Sequence, residues 1–267
     1  MAVQERHVTI LFSGGTDSTL AAARMILEHG FERVTLLTLD PGYLFFLENT
    51  RVHAQALEER FGTERVRHVI LPSRDAAKDV LFAEVSRDLS RYGFNMAALV
   101  CLGCRLSMHA AALAFNLRER IPFIADGSVA IQNAIPEQMA STLARNRAFY
   151  FERFGIWHTS PIYDEAASDR ALEALGIARQ TGLKKQFILF DTQYTCPFGV
   201  PADVFARLVY KPLLASTRDR ESAEYSAAKF PRLERHVEAS LAASGQELAT
   251  IVAELKAFHA RRGTGAA

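Results

Sequence analysis

Short apolar runs alternate with amphipathic stretches from the start of the chain. VTILF at 8–12 precedes a helical pattern over 18–29, and VTLLTL follows at 34–39, the rhythm of a strand, a helix and a strand. A second helical stretch over 48–61 leads into VRHVILP at 66–72. The unit therefore repeats, which predicts an α/β fold with a doubly wound parallel sheet. A helix is expected over 75–91, a longer Ala-rich helix over 101–120, and a fourth strand over 121–126 that ends in Asp126-Gly127-Ser128. All four strands would present their carboxyl ends at one edge, where such folds bind ligands.

The rhythm then loosens. Residues 145–157 interleave Arg145, Arg147 and Arg153 with Phe149, Tyr150, Phe151 and Trp157, 168–176 is helical in pattern, and 187–191 is a short apolar run and candidate strand. From Pro201 the pattern is helical, with one or two amphipathic helices over 233–262 and a GTGAA tail expected to be disordered. The expected organisation is an α/β domain over 1–200 and a C-terminal helical appendage over 201–267.

Composition narrows the function classes. With 267 residues, 49% of them hydrophobic, the chain can bury a sizeable core. Its 31 basic and 30 acidic residues give a net charge of +1, so no global field favours nucleic acid, and tRNA binding is neither supported nor excluded. No apolar run of bilayer-spanning length is visible, which points to a cytoplasmic protein without a membrane partner; a homodimer stays open.

The chemistry begins directly after the first strand, at Ser13-Gly14-Gly15-Thr16-Asp17-Ser18. Two glycines, several hydroxyls and a following helix let backbone N–H groups converge on an anion at a helix N-terminus. There is no GxGxxG fingerprint and no Walker lysine. The run resembles, residue for residue, the SGGxDS signature of the PP-loop ATP pyrophosphatases, which have an adenine nucleotide alpha hydrolase-like fold. The resemblance implies that Ser13, Gly14, Gly15, Thr16, Asp17 and Ser18 hold the pyrophosphate of ATP while a substrate oxygen attacks the α-phosphorus. Asp17, a carboxylate beside phosphates, would act through Mg²⁺ or cap the helix. Asp40, in Asp40-Pro41-Gly42 after the second strand, is either a nucleotide contact or a turn former. Asp126 is a further candidate ATP or substrate contact.

Three cysteines cannot pair completely, and two of them form Cys101-Leu102-Gly103-Cys104, with Cys196 far along the chain. A CxxC expected to open a helix suits thiolate chemistry, and three thiolates are one short of a closed four-cysteine site. Within the PP-loop superfamily the arrangement resembles the iron-sulfur-dependent tRNA 2-thiocytidine and 2-thiouridine synthetases. This implies Cys101, Cys104 and Cys196 as ligands of a [4Fe-4S] cluster, with Cys101 and Cys196 at the chemistry, and ATP activating a nucleobase carbonyl for replacement by sulfur from an unidentified donor. Other readings of the cysteines are buried small hydrophobes, a Zn²⁺ site completed by His109 or His158, and a metal-free persulfide carrier. Other readings of the whole are an amide- or nitrile-forming synthetase of the same superfamily and a non-catalytic ATP-binding module. Lys184 and Lys185 could neutralise pyrophosphate or form a solvated pair. Arg105 could meet phosphate, tune the cluster or lie exposed on its helix. The interleaved arginines and aromatics could stack on a base or pack a core.

Overall fold

The computed structural model describes residues 2–165, 169–177, 193–199, 204–205, 208–209 and 215–263. Among the described residues, five parallel strands make one sheet: β1 (His7–Leu11), β2 (Arg33–Asp40), β3 (Val66–Pro72), β4 (Phe123–Asp126) and β5 (Trp157–Thr159), in the order β3-β2-β1-β4-β5. Val8 on β1 pairs with Val34 on one side and Phe123 on the other. The chain winds from β1 outward to β3, then returns to the opposite side of β1, so the topological switch falls between β1 and β4. The predicted α/β doubly wound sheet is present. To the four strands expected at 8–12, 34–39, 66–72 and 121–126 it adds β5, because Trp157–Thr159 is too short and too mixed in polarity to be read as a strand in isolation; the candidate strand at 187–191 lies outside the described residues.

Helices cover both faces. On one side α1 (Thr16–Leu27), α2 (Arg51–Phe61) and α7 (Asp169–Ala174) pack against apolar strand residues such as Val8, Ile10 and Leu36. On the other lie α5 (Met96–Glu119) and α6 (Ala140–Phe154). Between β3 and α5 the chain runs through α3 (Arg74–Ala76), a widened π-helical turn (Ala77–Phe82) and α4 (Val85–Tyr92), where one helix over 75–91 was expected. The C-terminal α8 (Ala215–Ala242) and α9 (Leu248–Arg262) place Tyr225, Leu233, Val237, Leu241, Ile251 and Leu255 in the same apolar cluster as Leu99, Leu102 and Leu106 of α5. Each such side chain contributes about 1.5–3 kcal/mol on burial. The helical stretch 74–119 is long and apolar enough to cross a membrane, but 72% of its apolar window is buried within the fold.

Two local expectations change. The helix carrying the CxxC begins at Met96, not Cys101, because Ala97, Ala98 and Leu99 extend the helical pattern backwards; the two cysteines therefore sit inside the helix rather than at its first turn. The apolar run 187–191, with Lys184 and Lys185, lies outside the described residues.

Candidate functional site

The loop between β1 and α1 lies at the switch point. Gly14 has φ +77°, a conformation that a residue with a Cβ adopts only with strain, and Gly15 is the N-cap of α1 without a side-chain cap bond. Hydroxyls tie the turn together: Ser13 Oγ lies 3.2 Å from Ser18 Oγ, and Thr19 Oγ1 donates to the Gly15 carbonyl at 2.8 Å. His53 of α2, fully buried, donates from Nδ1 to the Gly14 carbonyl at 2.8 Å. Across the switch, a Cβ on Gly127 would stand 2.6 Å from the Ser18 nitrogen, so only glycine lets the turn after β4 approach α1 this closely.

This loop opens onto a cavity of about 390 Å³ whose lining includes Phe12, Ser13, Asp17, Ser18, Leu37, Leu39, Arg105, His109, Asp126 and Gln193. Burial raises the Asp17 carboxyl above its ordinary range, because desolvation disfavours the charged form. Asp40 is not among the lining residues; its Oδ1 accepts from Gly42 N–H at 2.8 Å, the turn-forming role.

Asp126 is the hub of a buried polar network. Its Oδ1 accepts from Ser128 N–H at 2.9 Å and Ser160 Oγ at 2.8 Å, and its Oδ2 from His158 Nε2 at 2.7 Å and from Arg105 Nη2. Burial alone would raise this carboxyl, but Arg105 and then His158 outweigh it and hold it well below the usual carboxylate range. Arg105 also donates to Ser128 Oγ at 2.7 Å; it is an ion-paired cavity wall, not an exposed helix arginine. His109 bonds Tyr150 OH through Nδ1 at 2.7 Å, and burial, reinforced by Arg105, keeps its ring neutral. His109, Asp126 and His158 bring candidate metal-ligating atoms within 4.8 Å of one another.

The three cysteines line a second, more apolar cavity of about 230 Å³, together with Tyr43, Leu81, Glu137 and Phe198. Cys101 and Cys104 come from α5, and Cys196 is brought in by an isolated antiparallel bridge in which Phe45 and Thr195 exchange backbone bonds of 3.0 and 2.8 Å. Tyr43 OH lies 3.0 Å from Cys104 Sγ. Burial pushes the Cys104 thiol up to about 12, opposed by the Tyr43 hydrogen bond. The helix-end lowering expected for this CxxC is thus absent at Cys104, because the cysteine lies in the helix interior. Three soft donors around one cavity fit a thiolate-ligated metal group, since metal binding deprotonates thiols that burial keeps neutral. His109 and His158 do not line this cavity.

Arg105, Met108 and Tyr194 line both cavities. The interleaved segment is used in packing. Arg145 pairs with Asp219 and Arg153 with Glu234, while Phe149 stacks on Phe230 at 4.0 Å. Sequence reasoning missed His53, Tyr43 and Gln193, and gave His158 no link to Asp126. None of these had a local signal, as their partners are distant in sequence.

No family model matches the chain, and no curated protein matches it. Among solved structures, the U34-tRNA thiolase NcsA from Methanococcus maripaludis with its [4Fe-4S] cluster is similar at a TM-score of 0.42 and 14% identity, over 82% of this chain and 71% of that one.

Proposed function

We propose that the protein is an ATP-dependent adenylating sulfurtransferase of the PP-loop type. The observation that carries this reading is the shared wall: Arg105, Met108 and Tyr194 separate a loop suited to pyrophosphate from a cavity lined by every cysteine of the chain. In this reading the amides and hydroxyls of residues 13–18 hold the pyrophosphate of ATP at the start of α1, where the helix end favours anions. Asp17 would hold Mg²⁺, which supplies charge neutralisation to the departing pyrophosphate. A carbonyl oxygen of a nucleobase acceptor attacks the α-phosphorus and pyrophosphate leaves. A sulfide-level nucleophile then forms the carbon–sulfur bond, and AMP departs with the original oxygen. Cys101, Cys104 and Cys196 would hold a [4Fe-4S] cluster, which would supply a binding place for that sulfur.

Two measurements test the reading. The protein should bind α,β-methylene-ATP, and Gly14→Val should weaken binding by about two orders of magnitude at least, since the Cβ strains the turn and blocks close approach of phosphate; equal affinity removes the loop from the site. Anaerobically purified protein should carry iron and sulfide in equal amounts, lost on replacing any one cysteine by alanine. Zinc, or no metal with a persulfide on a cysteine, would replace the cluster with another sulfur carrier.

A further inference from the structure

One short strap of chain reaches both cavities. Gln193 lines the loop cavity, Tyr194 lines both, and Cys196 lines the thiol cavity. Gln193 and Cys196 are three positions apart, so their Cα atoms lie within about 11 Å of each other. Thr195, between them, exchanges two backbone bonds with Phe45. Among the described residues these are the backbone bonds that join 193–199 to the rest of the fold. Past Cys196 the chain turns, with Gly199 N–H donating to the Cys196 carbonyl at 3.1 Å and the Phe198 ring edge-on to Tyr43. Gln193, Pro197 and Phe198 are exposed.

At its other end the strap rests on the glycine turn. The Gln193 carboxamide lies against Gly15, where a Cβ would stand 2.6 Å from Gln193 Oε1 and 3.5 Å from its Cδ. Ser13, Asp17 and Ser18 line the loop cavity, whereas Gly15, between them in sequence, is not among the lining residues. The carboxamide thus covers the middle of the turn. A phosphate held by the backbone amides of residues 13–18 would meet it there.

Resting on the adenylating reading, we propose that Gln193 couples the phosphate loop to Cys196: nucleotide phosphate displaces the carboxamide from Gly15, and the strap carries the displacement to the cysteine. Phosphate oxygens carry charge and bind the donors of the turn more strongly than a neutral carboxamide can. The displacement strains the Thr195–Phe45 bridge, which two backbone bonds hold, and the turn at Cys196 loosens with it. Gln193 is therefore a positioning residue that acts through Cys196. Cys101 and Cys104, fixed on α5, lie outside this coupling. Sulfur handled at Cys196 becomes mobile only with nucleotide in place, when an acceptor can be activated.

The test uses the full-length protein, Gln193→Ala and Gln193→Glu. α,β-Methylene-ATP is titrated calorimetrically, and amide hydrogen exchange is read residue by residue with and without saturating analogue. In the unaltered protein the analogue should speed exchange of the Thr195 and Gly199 amides about threefold or more, the signature of local opening. Gln193→Ala should bind the analogue about two- to tenfold more tightly, since no carboxamide has to leave the turn. Its Thr195 and Gly199 amides should exchange at the same rate with and without analogue. Gln193→Glu should bind more weakly than the unaltered protein, because a carboxylate competes with phosphate for the same donors. Weaker binding by Gln193→Ala would make Gln193 a phosphate ligand and overturn the proposal. So would equal affinity in that variant, exchange at Thr195 and Gly199 that the analogue leaves unchanged or slows, or a response that persists without the carboxamide. Each of these outcomes leaves the adenylating reading standing. Failure of the unaltered protein to bind the analogue would instead remove that reading itself.

Discussion

The loop cavity and the thiol cavity share three residues of wall and are built from opposite chemistry. Around the loop between β1 and α1 the polar groups are tied to one another. Ser13, Ser18 and Thr19 bond within the turn, His53 braces it from α2, and Asp126 accepts four hydrogen bonds behind it. Around the cysteines the packing is apolar, and the Cys104 thiol is held by a tyrosine hydroxyl and raised by burial. The first cavity is preorganised for charge, the second disfavours it until a metal or a reaction supplies a counter-charge. Arg105 belongs to both because its guanidinium faces the border while Asp126 balances its charge.

The comparison breaks most readily at Asp126. Asp126→Asn removes the hydrogen-bonded counter-charge of Arg105 and leaves only the weaker influence of Glu137, an imbalance that costs about 3–5 kcal/mol. Chemical denaturation at neutral pH should show this loss, and a loss below about 1 kcal/mol would mean that water already screens the pair.

A smaller effect is expected on the thiol side. A Cβ on Gly103 would meet Tyr225 OH at 2.3 Å and Leu81 Cδ1 at 2.7 Å, so α8 and the π-helical turn both press on the CxxC. Gly103→Ala should destabilise by about 1–3 kcal/mol through overpacking and speed alkylation of the cysteines, while affinity for α,β-methylene-ATP stays unchanged. A change in nucleotide affinity equal to the change in alkylation would show that the two cavities do not behave as separate units.

The smallest expected effect concerns pH and neither cavity directly. Burial, helped by Arg33 and Arg67, lowers His7 to about 4, and its Nε2 meets Thr35 Oγ1 at 2.8 Å. A histidine whose folded value is depressed adds stability that is complete above its unfolded value near 6.5 and is lost as pH falls toward 4. Stability should therefore decline by about 1–2 kcal/mol from this group between pH 6.5 and 4. His7→Gln should flatten that part of the profile; an unaltered slope would assign the acid sensitivity to other groups.

The glycine turn between β1 and α1 was legible because its parts are contiguous. A strand, two glycines, hydroxyls and a helix in a row leave one local geometry, and Gly14 adopts the left-handed conformation that the pattern requires. The sheet was legible for a similar reason, since strands buried on both faces read as unbroken apolar runs. β5 was not, because three residues carry no period.

The amino-acid sequence by itself determined the parallel sheet, the place of the glycine turn between β1 and α1 and the presence of three thiols, each a matter of residues within a few positions of one another. The tertiary structure alone decided that Cys196 joins the CxxC through the Phe45–Thr195 bridge, that Cys104 lies in a helix interior with a raised thiol, and that Arg105 is paired with Asp126 between two cavities. Those facts depend on chain segments far apart in sequence. Their meeting is set by the summed packing of both sheet faces, which no local pattern records.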